Sequence, residues 1–344
     1  MRILGFNRSA LLICAAAAML AGCGGSQPPI GAPGAMPQTS ARATHADRGK
    51  SWMLPEAKAE DLIYLSAPTG VYVYTYPKGK HVGTLTGFGY PLYECADKSG
   101  DVFIIIVDGS QQGVYEYTHG GSEPINFLPR TGAYACSVDP TTGNLAVIAQ
   151  FGGNVYVYAN AQGTPTVYSN DIYLMTSPAY DSSGNLFVDG EYQESGFALE
   201  ELPQGGGTFE DIKVQGSFDG DSYEPILWNG KYLGLGTRQL AKHGRRWSRT
   251  VVDRIQISGT TGIGVGEAPL SLQHEAAFPQ WWVSNGVAIQ ASDKHGVPSY
   301  FAYFKYPGGK KLKKVRMPGI YLVVGTVLSV APSGTRPAGS AAWR

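Results

Sequence analysis

The chain has 344 residues, with 46 glycines and 21 tyrosines against 12 phenylalanines, a length that holds either two ordinary domains or one large all-β domain. Its 27 Lys plus Arg balance 27 Asp plus Glu, so no net field favours a nucleic acid, and no such partner is expected. Abundant glycine beside aromatic and β-branched residues, with no helical-period run beyond the N-terminus, points to strands joined by tight turns.

Arg2 and Arg8 precede or border an apolar run from about Ala10 to Leu20. That run is too short to span a bilayer as a mature helix and reads as an export signal over residues 1–22. It ends in Leu20-Ala21-Gly22-Cys23, which resembles a bacterial lipobox; the alternative is an ordinary signal peptide with an incidental cysteine. The resemblance implies cleavage before Cys23, a diacylglycerol on its thiol and usually an acyl chain on its amine. Two or three such chains bury enough methylenes, at about 0.8 kcal/mol each, to hold a protein stably on a membrane. Gly24 and Gly25 follow, with no Asp, a pattern that in diderm lipoproteins implies sorting to the outer membrane. Residues 23–59 are therefore expected to be the lipidated cysteine and a disordered tether, rich in Pro, Gly, Ala, Ser and Thr, with an r.m.s. reach of about 30–35 Å.

From Glu60 onward two phrases recur in step. One is "VYVY" at Val71, "VYEY" at Val114 and "VYVY" at Val155, with looser copies at Phe197, Arg254 and Phe301. The other is a turn and strand: "SGDVFIII" from Ser99, "TGNLAVIA" from Thr142, "SGNLFVDG" from Ser183, "NGKYLGLG" from Asn229 and "NGVAIQAS" from Asn285. Each Gly-Asp, Gly-Asn or Asn-Gly pair supplies the positive φ of a tight hairpin. With an apolar segment before each turn and another after each tyrosine-rich phrase, the unit is a four-stranded antiparallel sheet of about 41–47 residues, close to the propeller period. In "GVYVYTY", Val71 and Val73 point one way and Tyr72, Tyr74 and Tyr76 the other, so both faces need cover. The tyrosines are accordingly expected between blades rather than as a sugar-binding platform.

Six units are counted. The first lacks its innermost strand, and "GIYLVVGTVLSV" from Gly319 to Val330 is left over at the other end. This segment is expected to complete blade one and close the ring. The fold class is thus all-β, a six-bladed β-propeller over residues 60–332 with a flexible tail at 333–344. Its "D-x-x-G-[DN]-[VL]" turns resemble those of NHL-type and streptogramin-lyase-like propellers among exported bacterial proteins, a likeness that carries fold better than function.

Cys95 and Cys136 lie on the innermost strands of adjacent blades, two and three residues before Asp97 and Asp139, so their side chains are expected on opposite sheet faces, the faces that meet between neighbours. A Cys95–Cys136 disulfide is expected in an oxidising compartment, the alternative being two buried thiols. No nucleophile elbow, zinc-protease helix, C-x-x-C pair or phosphate loop is present. The six histidines show no metal-ligand spacing and are expected in loops or on the surface.

Propeller ligands usually sit where the loops before the inner strands meet those joining strands two and three. That side carries Glu191, Glu194, Asp219, Asp221, Glu224, His274, Glu275, Asp293 and His295, an acidic, histidine-bearing mouth that suits a divalent cation such as calcium, a cationic group or a sugar. Similarity to gluconolactonase-like six-bladed enzymes would make Glu94, on blade two's inner strand, a channel metal ligand. Two basic stretches remain: "KKLKKVR" at Lys310–Arg316, expected as an outer edge strand, and "RQLAKHGRRWSR" at Arg238–Arg249, expected as an enlarged hairpin. The leading expectation is a monomeric, exported, lipid-anchored binding or scaffold module for an envelope protein, peptide or glycan, without chemistry and with no cofactor. The alternative is a metal-dependent hydrolase or lactonase.

Overall fold

The computed structural model describes residues 50–194, 196–215, 225–240, 247–270, 281–294 and 297–335. Cys23 and the remainder of the expected signal and tether up to residue 49 lie outside them.

Six antiparallel sheets form a closed ring. Blade one begins with β1 (Trp52–Met53), then β2 (Asp61–Ala67), β3 (Gly70–Tyr76) and β4 (His81–Leu85). Blade two is β5 (Pro91–Ala96), β6 (Val102–Ile106), β7 (Gly113–Tyr117) and β8 (Pro124–Pro129); blade three is β9 (Ala133–Val138), β10 (Leu145–Ala149), β11 (Asn154–Tyr158) and β12 (Thr166–Ser169). Blade four is β13 (Leu174–Tyr180), β14 (Leu186–Tyr192), β15 (Gly196–Leu202) and β16 (Glu210–Asp211). Blade five takes β17 (Lys213–Gln215), β18 (Ile226–Trp228), β19 (Leu233–Leu240), β20 (Trp247–Ser258) and β21 (Thr261–Leu270). Blade six is β22 (Trp281–Ser284), β23 (Val287–Lys294), β24 (Val297–Lys305) and β25 (Lys311–Arg316), and β26 (Gly325–Ser329) returns to blade one.

The surplus C-terminal segment does what its sequence requires: β26 pairs antiparallel with β2, from Leu62 opposite Ser329 to Ser66 opposite Gly325. It is the innermost strand of that sheet, so the two ends of the ring share one ladder and hide an otherwise open edge. The Asp61 carboxylate then accepts the Ala331 N–H at 2.8 Å.

The repeated turns owe their sequence to hydrogen bonding. Asp97 Oδ1 accepts the N–H groups of Ser99 and Asp101 at 2.9 and 2.8 Å. Asp181 Oδ1 repeats this with Ser183 and Asn185 at 2.8 and 2.9 Å. The carboxylate thus closes the turn locally, and Gly100 and Gly184 supply φ values of +88° and +89° that a side chain would strain.

The tyrosine phrase packs between blades. Val71 and Val73 are fully buried in a cluster with Val102, Ile104 and Ile106 of blade two. Tyr74 and Tyr76 turn to blade six, meeting Phe301 and Tyr303 edge-on with centroids 5.2 and 5.5 Å apart. Such pairs add about 0.5–1.5 kcal/mol each beyond area burial. Between blades two and three, Cys95 and Cys136 form a disulfide with Cα atoms 5.7 Å apart, and both cysteines are buried.

The structure departs from the sequence reading in three places. Trp52–Met53, inside the stretch read as tether, is an extra outer strand paired with Thr84 and Gly83 of β4; two residues are too few to show a period. Blade four's outer strand is also cut short. Ile212 N–H donates to the Leu199 carbonyl at 2.8 Å, but Lys213 N–H donates to Thr260 at 2.9 Å, and β17 continues parallel to β21 of blade five. Buried Ile212 is the hinge of that crossing, anchored among Leu199, Leu233 and Ile255. Third, His119 stands in the turn after β7, a loop as expected, yet only 7 % of it is exposed: its ring meets the Ser329 hydroxyl and the Glu60 carbonyl, and its main-chain N–H donates to Asp101. The basic stretch Lys310–Arg316 does supply blade six's outermost strand.

Candidate functional site

Blade four's shortened edge carries an open, polar pocket. Tyr192 ends β14 opposite Gly196, and Glu194 stands in the hairpin that follows. On β15, Glu200 faces Asp211 of β16 across the ladder. Asp171, in the loop that brings the chain from blade three, and Phe209 complete the wall of a pocket of about 550 Å³.

The chemistry is one-sided. Four carboxylates, Asp171, Glu194, Glu200 and Asp211, stand with two aromatic rings and no cationic side chain in the lining. The Tyr192 hydroxyl is shared between Glu200 Oε1 at 3.1 Å and Asp211 Oδ1 at 3.2 Å. Glu200 is buried, with 5 % exposure, and that burial pushes its pKa up; the charges of Asp171 and Asp211 push the same way, against the Tyr192 hydrogen bond and the Asp171 amide. Burial and the same two carboxylates, Glu200 and Asp211, also raise the Tyr192 phenol. An incoming ammonium or guanidinium would relieve this crowding of negative charge, while Tyr192 and Phe209 offer ring faces to its apolar stem.

Of the residues singled out in the sequence, Glu194 lies in this wall. Glu191 directly precedes Tyr192 on β14, paired with Leu174 and Phe197, and is not part of the lining. Glu94 sits elsewhere, on the inner strand of blade two, 7 % exposed, with Oε1 accepting the Ser66 N–H at 2.9 Å. Its other oxygen has no hydrogen-bond partner among the described residues, and burial drives its pKa well above the ordinary carboxylate range, outweighing the Ser66 bond. Asp219, Asp221, Glu224, His274, Glu275 and His295 lie outside the described residues, as does the side chain of Asp293, whose backbone belongs to β23. Among the described residues no three His, Cys, Asp or Glu side chains are grouped as metal ligands.

Sequence reasoning missed Asp171, Tyr192, Glu200, Phe209 and Asp211. The one signal available was the pair Glu200-Glu201 inside the apolar strand "FALEEL": a carboxylate on a face that should pack a neighbouring blade is out of pattern. Asp171 and Asp211 could not be found this way, because Asp171 comes from the loop before blade four and Asp211 meets Glu200 only through the short β15–β16 pairing.

No family model and no curated protein matches the sequence. Solved structures do match the fold. A nidogen/laminin complex aligns with a TM-score of 0.60 at 9% identity, over 79% of this chain and 99% of that one. TolB from Acinetobacter baumannii aligns with a TM-score of 0.59 at 14% identity, over 80% of this chain and 68% of that one. A protein from Lactobacillus plantarum aligns with a TM-score of 0.55 at 10% identity, over 78% and 99%. At such identities the likeness is one of architecture, and the architecture is a six-bladed β-propeller.

Proposed function

We propose that this chain is an exported, lipid-anchored propeller of the NHL or streptogramin-lyase type that binds a protein or peptide partner in the cell envelope through the acidic pocket of blade four. The observation that carries this reading is the pocket itself: four carboxylates and two aromatic rings around about 550 Å³, a setting whose charge is complementary to a lysine or arginine side chain. Support for the address comes from the Leu20-Ala21-Gly22-Cys23 motif and the polar tether behind it. Propellers seen in a nidogen/laminin complex and in TolB share the architecture and make a binding role a natural use of it.

Calorimetric titration of the protein with a tri-lysine peptide and with its Nε-acetylated counterpart tests the proposal. Binding should require the free ammonium groups, weaken as salt rises, and fall about fivefold in an Asp171→Asn/Asp211→Asn double variant, the loss of about 1 kcal/mol that removing partly exposed charges brings. Equal binding of both peptides, or an unaffected double variant, removes the reading. A divalent ion that co-purifies stoichiometrically and leaves with an Asp219→Asn or Glu94→Gln variant would favour the hydrolase alternative instead.

A further inference from the structure

The rim beside the acidic pocket carries two exposed rings. Phe151, in the turn between β10 and β11, is 58 % exposed, and Tyr173, just before β13, is 52 % exposed. The rings meet edge-on, with centroids 6.1 Å apart and planes at 66°. Single apolar residues scattered over a surface are ordinary, but two large rings in mutual contact outside the core form a patch.

The turns beneath the rings are held by their main chain. Gly152 and Gly153 take φ values of +87° and +64°, and a Cβ on Gly153 would stand 2.3 Å from the Asn170 carbonyl. Asn170 N–H donates to the Gly153 carbonyl at 2.8 Å, Met175 N–H to the Gln150 carbonyl at 2.8 Å, and Tyr173 N–H to the Glu191 carbonyl at 3.0 Å. Phe151 also bridges to Leu174, and Ile172 is buried in a cluster with Met175 and Val188. Both rings are thus set in place before any partner arrives, which lowers the ordering cost of binding.

This rim adjoins the pocket. Asp171 lines the pocket two residues before Tyr173, a span of at most about 7 Å, and the Glu191 carbonyl that holds Tyr173 directly precedes Tyr192 of the lining. In an extended peptide, side chains two positions apart stand on one face, about 7 Å from each other. A lysine or arginine in the pocket would therefore bring the residue two positions away to the rings. We propose that Phe151 and Tyr173 form a second subsite of the same binding surface, taking an aromatic or large aliphatic side chain two positions from the partner's cationic residue. The inference rests on the reading of the pocket as a cation site, whose charge sets the partner's polarity. The edge-on pair leaves a notch between its rings in place of a flat face, which suits an inserted side chain better than a stacked sugar ring.

Calorimetric titration of the protein with the end-blocked tripeptides Lys-Ala-Phe and Lys-Ala-Ala tests the subsite. Lys-Ala-Phe should bind about tenfold more tightly, a difference of about 1.4 kcal/mol, and the two should bind alike in a Phe151→Ser/Tyr173→Ser variant. In the wild-type protein, nuclear Overhauser contacts should join the peptide's Phe ring to the Tyr173 ring, a readout that does not depend on how the variant folds. Binding of both peptides with no gain from Phe overturns the subsite and leaves the pocket reading standing; binding of neither removes both. A gain retained by the folded variant overturns it too, as does binding of tri-N-acetylglucosamine that the variant abolishes, which would assign the rings to a glycan.

Discussion

Reducing the Cys95–Cys136 disulfide should cost this protein much of its stability. The bond spans a sequence separation of 41. In the chain-entropy relation such a loop removes about 13 cal/mol/K from the unfolded ensemble, or about 4 kcal/mol at 25 °C. The native state stands to lose little of its own packing, since both sulfurs lie in an apolar cluster with Phe103, Leu145 and Val147 that two thiols can still fill. Urea unfolding of the oxidised protein and of the protein kept in reductant isolates the effect. With a slope of about 2–3 kcal/mol/M, the midpoint should drop by about 1.5–2 M while the slope changes little. The bond itself is checked by mass spectrometry of a non-reduced digest, which should contain Cys95 and Cys136 in one linked peptide. Two separate thiol peptides, or coincident unfolding curves, would refute the reasoning.

Three further outcomes follow from buried groups. Glu200→Gln should stabilise the protein at neutral pH, because the raised Glu200 pKa means that stability is lost as pH climbs from the unfolded carboxylate value through the folded one; melting curves of variant and wild type should converge near about pH 4. Asp139 behaves oppositely: burial raises its pKa, but bonds from Thr142 and Thr141 outweigh it and hold the carboxyl low. Asp139→Ala should therefore cost about 0.5–2 kcal/mol at pH 7 in chemical denaturation, and the deficit should shrink in acid as the wild-type carboxylate protonates. Gly325→Ala would place a Cβ 1.8 Å from Glu94 Oε2 and 2.5 Å from the Leu92 carbonyl; a loss of about 1–3 kcal/mol is expected by calorimetry, with exchange of the β26 amides raised first.

The propeller was legible because its determinants are local. Turn residues fix hairpins, period-2 alternation fixes faces, and the surplus strand Gly325–Ser329 had one unpaired edge to fill. Even the disulfide followed from strand parity. The pocket was not legible, since Asp211 meets Glu200 only in the two-residue pairing of β15 with β16, and Asp171 reaches them from the loop that enters blade four. A pairing decision of that kind depends on long-range packing and leaves no period in the sequence. His119 lies in a loop, as expected, but its burial was not legible for a related reason. Its three partners, Glu60, Ser329 and Asp101, come from both ends of the chain, and no local pattern shows that ring closure gathers them.

Hydrogen-exchange footprinting of the protein with and without bound tri-lysine peptide tests the central claim most directly. Slowed exchange confined to the segments holding Asp171, Tyr192 to Glu194, and Phe209 to Asp211 is the predicted result. A footprint on the inner strand around Glu94, or none at blade four while the peptide is bound, would contradict it.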